Sequence, residues 1–173
     1  AWIRKKQAEI KSTLEQNEKI LNFEECFYLG NKCKVETICG LKGIEYRNST
    51  FMLPLGSNRK KLIKEFYEKE AEKVLILRLN YLTSLMKISP VGCKLIASKS
   101  KWGMCDSKKY VYLNFKLIML SPEIIDYVIV HELAHLIQMN HSRKFWELVE
   151  AVIPNYKKKQ EVLKGCNFLI KMF

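Results

Sequence analysis

The sequence predicts an α+β chain, in which a small, mostly antiparallel sheet packs against one buried helix and further helices surround them. Three observations predict it. Residues 26 to 55 fall into short β-prone stretches separated by Gly40, Gly43 and Asn48-Ser49. Arg59 to Lys87 contains neither Gly nor Pro and carries apolar residues at helical intervals. Residues 124 to 137 are apolar around most of a helical circumference, the pattern of a helix enclosed by protein.

Taken in order, residues 3 to 22 are charged and amphipathic, with Ile3, Ile10, Leu14 and Leu21 along one helical stripe. Lys34 to Cys39, Ile44 to Arg47 and Thr50 to Leu55 then suggest an antiparallel meander, ended by Pro54, Gly56, Ser57 and Asn58. The long helix follows, with Leu62, Ile63, Phe66, Ala71, Leu75, Leu79, Leu82 and Met86 as its apolar positions, and Ser89-Pro90-Val91-Gly92 stops it. Cys93 to Ser98, Lys101 to Cys105 and Tyr110 to Asn114 are strand candidates, the last two joined by a turn at Asp106-Ser107-Lys108-Lys109. Ser121-Pro122-Glu123 opens the apolar helix with a capping residue, a proline and an acid in the first turn. The expected organisation is an N-terminal helix and β meander over 1–58, then a second domain over 59–173 built around the apolar helix.

At 173 residues with 48% hydrophobic content, the chain is long and apolar enough to bury a core. No apolar run reaches bilayer length, because Asp126, His131, Glu132, His135 and Gln138 interrupt the longest one. The chain begins at Ala1 with neither an initiator Met nor a signal-peptide pattern. Six cysteines show no Cys-x-x-Cys pair, and Cys33 and Cys39 would lie too far apart along one strand to bridge. Reduced core thiols in a cytoplasmic protein are expected. The net charge of +12 makes nucleic acid or nucleotide an expected class of partner. Against it, 25 of the 30 basic residues are Lys and they are scattered, which favours a Lys-rich composition over a dedicated surface.

The chemistry is concentrated on the apolar helix. His131-Glu132-Leu133-Ala134-His135 places two histidines four apart, one helical turn along the same face, where both imidazoles can reach one metal ion. Zinc accepts neutral imidazole nitrogen, takes a third protein ligand and leaves a position open for water. Glu132 stands beside that water as the expected catalytic base. A merely hydrogen-bonded pair of core histidines is the alternative. It leaves unexplained why all three histidines of the chain fall within eleven residues, two of them on a helix built for burial.

His141 is the expected third ligand. In a continuous helix it would lie about 9 Å along the axis from His135, too far to share a metal. The helix must therefore end between them. Asn140 can adopt the left-handed conformation that stops a helix, and Ser142 can cap the next one, through Phe145, Trp146, Leu148, Val149 and Val152 to Pro154. Glu147 and Glu150 are rival ligands. The spacing matches the His-Glu-x-x-His-x-x-Gly-x-x-His pattern of metzincin proteases, except that Gln138 replaces the glycine.

Five motifs occur together and in order: Ser98-Lys-Ser-Lys-Trp-Gly-Met-Cys105, Val111-Tyr-Leu-Asn114, Ile125-Asp-Tyr-Val-Ile-Val-His-Glu-Leu-Ala-His-Leu136, Asn140-His-Ser-Arg-Lys-Phe-Trp146 and Pro154-Asn-Tyr156. In these the chain resembles the YgjP-like family of zincin-like metallopeptidases, related to the SprT-like proteins, over about residues 60 to 165. Lys101 and Met104 stand where that family usually has Arg and Ser. Weaker similarity at Trp2-Ile3-x-Lys5 resembles the family's long helical segment, usually preceded by a β-rich portion, which implies a fragment or a short variant. The resemblance implies a zincin-like fold, zinc held by His131, His135 and His141, and Glu132 as catalytic base. It also implies an edge strand lining the cleft, for which Lys101 to Cys105 and Tyr110 to Asn114 both qualify. Trp102 and Trp146 are cleft candidates, although large aromatics are more often core.

The expected function is zinc-dependent hydrolysis of a peptide or protein. A nucleotide phosphohydrolase is the alternative, weakened by the absence of a phosphate loop or a carboxylate cluster suited to Mg²⁺. A non-catalytic zinc-containing module that associates with nucleic acid is a third, weakened because structural zinc sites are normally closed by four ligands and rich in Cys.

Overall fold

The computed structural model describes residues 23–173 together with Ser12, Glu15 and Glu18, which are helical and exposed. The apolar stripe of Ile3, Ile10, Leu14 and Leu21 lies outside the described residues. The elements run β1 (Glu25–Tyr28), β2 (Asn31–Ile38), β3 (Glu45–Arg47), β4 (Thr50–Pro54), α1 (Arg59–Met86), β5 (Gly92–Ile96), β6 (Gly103–Cys105), β7 (Tyr110–Asn114), a 3₁₀ helix (Phe115–Met119), α2 (Pro122–Ala134), α3 (Arg143–Val152), α4 (Tyr156–Gly165) and a final 3₁₀ turn (Leu169–Lys171). The architecture is α+β, with mostly antiparallel pairings and one parallel pair in each of two sheets.

The first sheet is not the expected meander. Its order is β1-β2-β4-β3, with β2 and β4 parallel. Burial explains the insertion of β4 beside β2. Phe51 and Leu53 on β4 are fully buried, whereas the three-residue β3 has no fully enclosed side chain and takes the edge. Asn48 and Ser49, both at positive φ (48° and 56°), turn β3 back onto β4 as a tight hairpin. The additional strand β1 pairs antiparallel with β2 and sets Cys26 opposite Cys33. Both thiols are buried and free, while Cys39 is exposed, which corrects the expectation that every thiol is in the core.

Helix α1 begins at Asn58, whose side chain accepts from the Lys61 N–H (3.0 Å), and ends at Lys87 in the left-handed conformation. Ile63, Tyr67, Ala71, Leu75, Leu79 and Leu82 recur at three- and four-residue intervals and form its buried stripe. That stripe joins both sheets and α2 into one continuous core, which includes Phe51, Val111, Ile129 and Phe145. Outside the core, Arg78 grips Asp126 on α2 through two hydrogen bonds of 2.8 and 2.7 Å.

The second sheet has the order β5-β7-β6. Val111 and Leu113 make β7 its buried centre, so the available edge near α2 is β6, and Tyr110 to Asn114 is excluded from that role. Helix α2 lies against α1, α3, α4 and β6 and buries Ile125, Ile129, Val130, Leu133 and Ala134 completely. No helix among the described residues is long and apolar enough to cross a membrane.

Candidate metal centre

Helix α2 ends at Ala134, and His135 forms its cap. The Leu136 and Ile137 N–H groups bond three residues back, to Leu133 and Ala134, which tightens the last turn and throws the chain off the helix axis. Asn140 does not stop the helix by a left-handed residue: it is absent from the positive-φ positions, and its Oδ1 accepts from Gln138 Nε2 at 2.7 Å. The tight 3₁₀-type turn does that work six residues earlier. Ser142 precedes α3 in extended conformation, as a capping residue should, but its hydroxyl caps nothing.

The elbow brings His141 back to the helix. One ligating atom from each of His131, His135 and His141 falls within 4.8 Å of the others, and His141 Nε2 lies 3.1 Å from His131 Nε2. His135 Nδ1 is 3.2 Å from the Gln138 carbonyl, so its Nε2 is left for a ligand. Burial, reinforced by the two neighbouring imidazoles, pushes His131 down to about 3, and burial also lowers His135. Both are therefore neutral at physiological pH, the form that binds a divalent metal. The buried His131 Nδ1 has no hydrogen-bond partner among the described residues. This donor set fits a divalent metal ion of the imidazole-preferring kind. Glu147 instead pairs with Arg143 (2.8 Å), and neither it nor Glu150 joins the histidine group.

Aromatic rings buttress the third histidine. His141 stacks on Trp146 (5.6 Å between centroids, 28°), which stacks on Tyr156 at the start of α4 (4.9 Å, 14°). Phe145 closes the group from beneath, 4.6 Å from His135 and 4.7 Å from His141.

Glu132 is 6% exposed, and burial raises its carboxyl to about 8, opposed by the positive charge of Lys101. A bound cation would add to the Lys101 effect and favour the carboxylate. Beside Glu132 and His131 opens a cavity of about 290 Å³ between β6, α2 and α4, with Trp102 and Gly103 in its wall. Of the two cleft candidates, Trp102 lines this cavity and Trp146 stands behind His141, while Tyr127, Gly103 and α4 belong to the site without being singled out for it by spacing. Tyr127 carried the one available signal, since it precedes His131 by a single helical turn.

No curated protein matches the chain at a significant level. Among solved structures it is similar to the crystal structure of the metallopeptidase zymogen of Pyrococcus abyssi abylysin, at 22% identity and a TM-score of 0.48, over 51% of this chain and 90% of that one. Residues 1–165 match the family described as YgjP-like, metallopeptidase domain, and the chain therefore belongs to the YgjP-like metallopeptidases.

Proposed function

We propose that this chain hydrolyses peptide bonds, with zinc held by His131, His135 and His141 and with Glu132 as general base. The observation that carries the reading is the convergence of three imidazoles within 4.8 Å, next to a buried carboxylate at the wall of an open cavity. When bound, zinc supplies a Lewis acid that polarises the scissile carbonyl and acidifies water. Glu132 takes the proton of the attacking water on its carboxylate and delivers it to the departing amine nitrogen. Burial favours the protonated carboxyl, and Lys101 and the metal charge favour the carboxylate, so the group is poised to shuttle a proton. The free edge of β6 holds an extended substrate by main-chain hydrogen bonds, which presents the scissile bond to α2. The free thiols suit a reducing, cytoplasmic setting.

The test is metal analysis of the purified chain, followed by peptide, protein and nucleotide substrate screens with the native chain and Glu132→Gln. The expected result is about one zinc per chain in both forms and peptide cleavage only in the native form. Native-rate cleavage by zinc-loaded Glu132→Gln would remove Glu132 from the mechanism. Turnover of nucleoside triphosphates without peptide cleavage would replace the bond assigned here.

A further inference from the structure

The cavity beside Glu132 has a chemical bias. Lys101 stands on the β6 side and Lys164 on α4, and among the described residues neither ammonium has a carboxylate partner. Among the described residues Lys101 Nζ makes one weak hydrogen bond, to Met104 Sδ at 3.8 Å, and its charge acts on Glu132 without forming an ion pair. Asn167 adds a directional donor. Its Oδ1 accepts from Trp102 Nε1 (3.0 Å), which fixes the amide so that its two Nδ2 hydrogens are left for a ligand. Gln160 and Tyr127 also line the space. Apart from Glu132, every charged group lining the cavity is therefore a cation, and its walls are rich in hydrogen-bond donors.

Size limits the occupant. A volume of about 290 Å³ lies at or below the lower end of small-molecule sites, which suits one side chain better than a nucleoside triphosphate. Val128, Leu163 and the Trp102 ring supply an apolar wall for a methylene stem. Gly103 lines the cavity and is the first residue of the β6 edge, so a strand paired there would run beside the cavity.

We infer that this cavity is the subsite for an acidic side chain, aspartate or glutamate, of a peptide lying along β6 next to the bond to be cleaved. The inference rests on the peptidase reading above and names the substrate class that reading leaves open. Lys101 and Lys164 are its specificity-determining residues, and Asn167 orients the bound carboxylate.

The test separates binding from turnover. The zinc-loaded 173-residue chain carrying Glu132→Gln is titrated with a fluorescein-labelled alanine pentapeptide carrying one central Glu, and with its Gln counterpart, by fluorescence anisotropy. The Glu peptide is expected to bind about tenfold tighter, as charge-assisted hydrogen bonds to one carboxylate allow. In Lys101→Glu/Lys164→Glu the preference should disappear or invert, with the circular dichroism spectrum unchanged because both side chains are exposed. The zinc-free protein should retain the preference, since the subsite does not include the histidine cluster as a whole. Equal affinity for the two peptides, a preference that survives charge reversal, or no binding of either peptide into the millimolar range overturns the inference. So does ATP displacing the Glu peptide at concentrations well below that peptide's Kd, which would assign the cations to phosphate. Cleavage of the same peptides by the native chain then tests the parent reading separately: cleavage without Glu preference removes the subsite alone, and preferential binding without cleavage removes the peptidase assignment alone.

Discussion

A Cβ on Gly103 would stand 2.7 Å from both Cγ and Oε1 of Glu132, so the carboxylate of α2 occupies the space that any side chain at the start of β6 would need. The glycine is required for room and not for torsion, because its φ is outside the left-handed region. Gly103→Ala is expected to displace Glu132 by a few tenths of an ångström or more and to lower kcat by about 10²-fold, the scale of a misplaced catalytic group. Zinc content should be unchanged, because the histidines lie outside the clash. Steady-state kinetics with metal analysis on the same preparation checks it, and a fully active Gly103→Ala would show that Glu132 tolerates displacement.

The ring stack behind His141 predicts a metal-affinity effect at a distance. Trp146→Ala removes the surface against which the exposed His141 imidazole is held, and outer partners of ligating histidines are worth about tenfold or more in affinity. Competition with a fluorescent zinc chelator should read that loss, whereas Tyr156→Phe, which preserves the stacking partner of Trp146, should leave affinity unchanged.

Asn114 predicts a stability effect near the β6 edge. The fully buried side chain donates to the Ser98 and Lys101 carbonyls (2.8 Å each) and accepts from the Lys116 N–H (3.2 Å). Asn114→Leu leaves the Lys101 carbonyl and the Lys116 N–H without this partner, while the Ser98 carbonyl keeps Lys116 Nζ (3.1 Å), and should cost about 3 kcal/mol, since each buried unsatisfied group costs about 1–3 kcal/mol. Urea denaturation gives the value, and a change below about 1 kcal/mol would mean that water replaces the amide.

Alkaline pH should destabilise the first sheet. Burial pushes the Cys26 thiol from 9.0 up to about 12 and the Tyr67 hydroxyl well above 10.0. The folded state then holds protons that the unfolded chain has lost, so stability is full below pH 9 and falls as pH rises from about 9 towards 12, by up to about 1.4 kcal/mol per pH unit per group. Cys26→Ala removes one of these groups, and its stability curve between pH 8 and 10.5 should be shallower than that of the native chain. Parallel slopes would show that the Cys26 thiol does not contribute.

How far these features can be read from residues alone depends on the range over which each is determined. The span of α1 follows from a stripe of local spacing, and the break after His135 follows from the rise of a helix, so both are legible. The means of that break is less so: the 3₁₀-type bonds after Ala134 are chosen by how the elbow packs, and Asn140 only looked like the stop. Strand order in the first sheet is not local at all. It is set by the burial of Phe51 and Leu53, with Phe51 against Phe66 and Tyr67 of α1, which no alternation pattern encodes. The second wall of the cavity is equally remote, since Lys164 and Asn167 reach it through α4, more than thirty residues beyond His131.

On the peptidase reading proposed above, the brevity of β6 sets how substrate would be held. Three residues, Gly103 to Cys105, offer only a few main-chain hydrogen bonds to an incoming strand, each worth about 1 kcal/mol net. A longer exposed edge would grip any unfolded segment and also invite neighbouring molecules to stack along it. On that reading the short edge would work as a guide rail with weak retention: extended chains would dock and leave quickly, residence would be decided by side-chain contacts, and the edge would offer little template for aggregation.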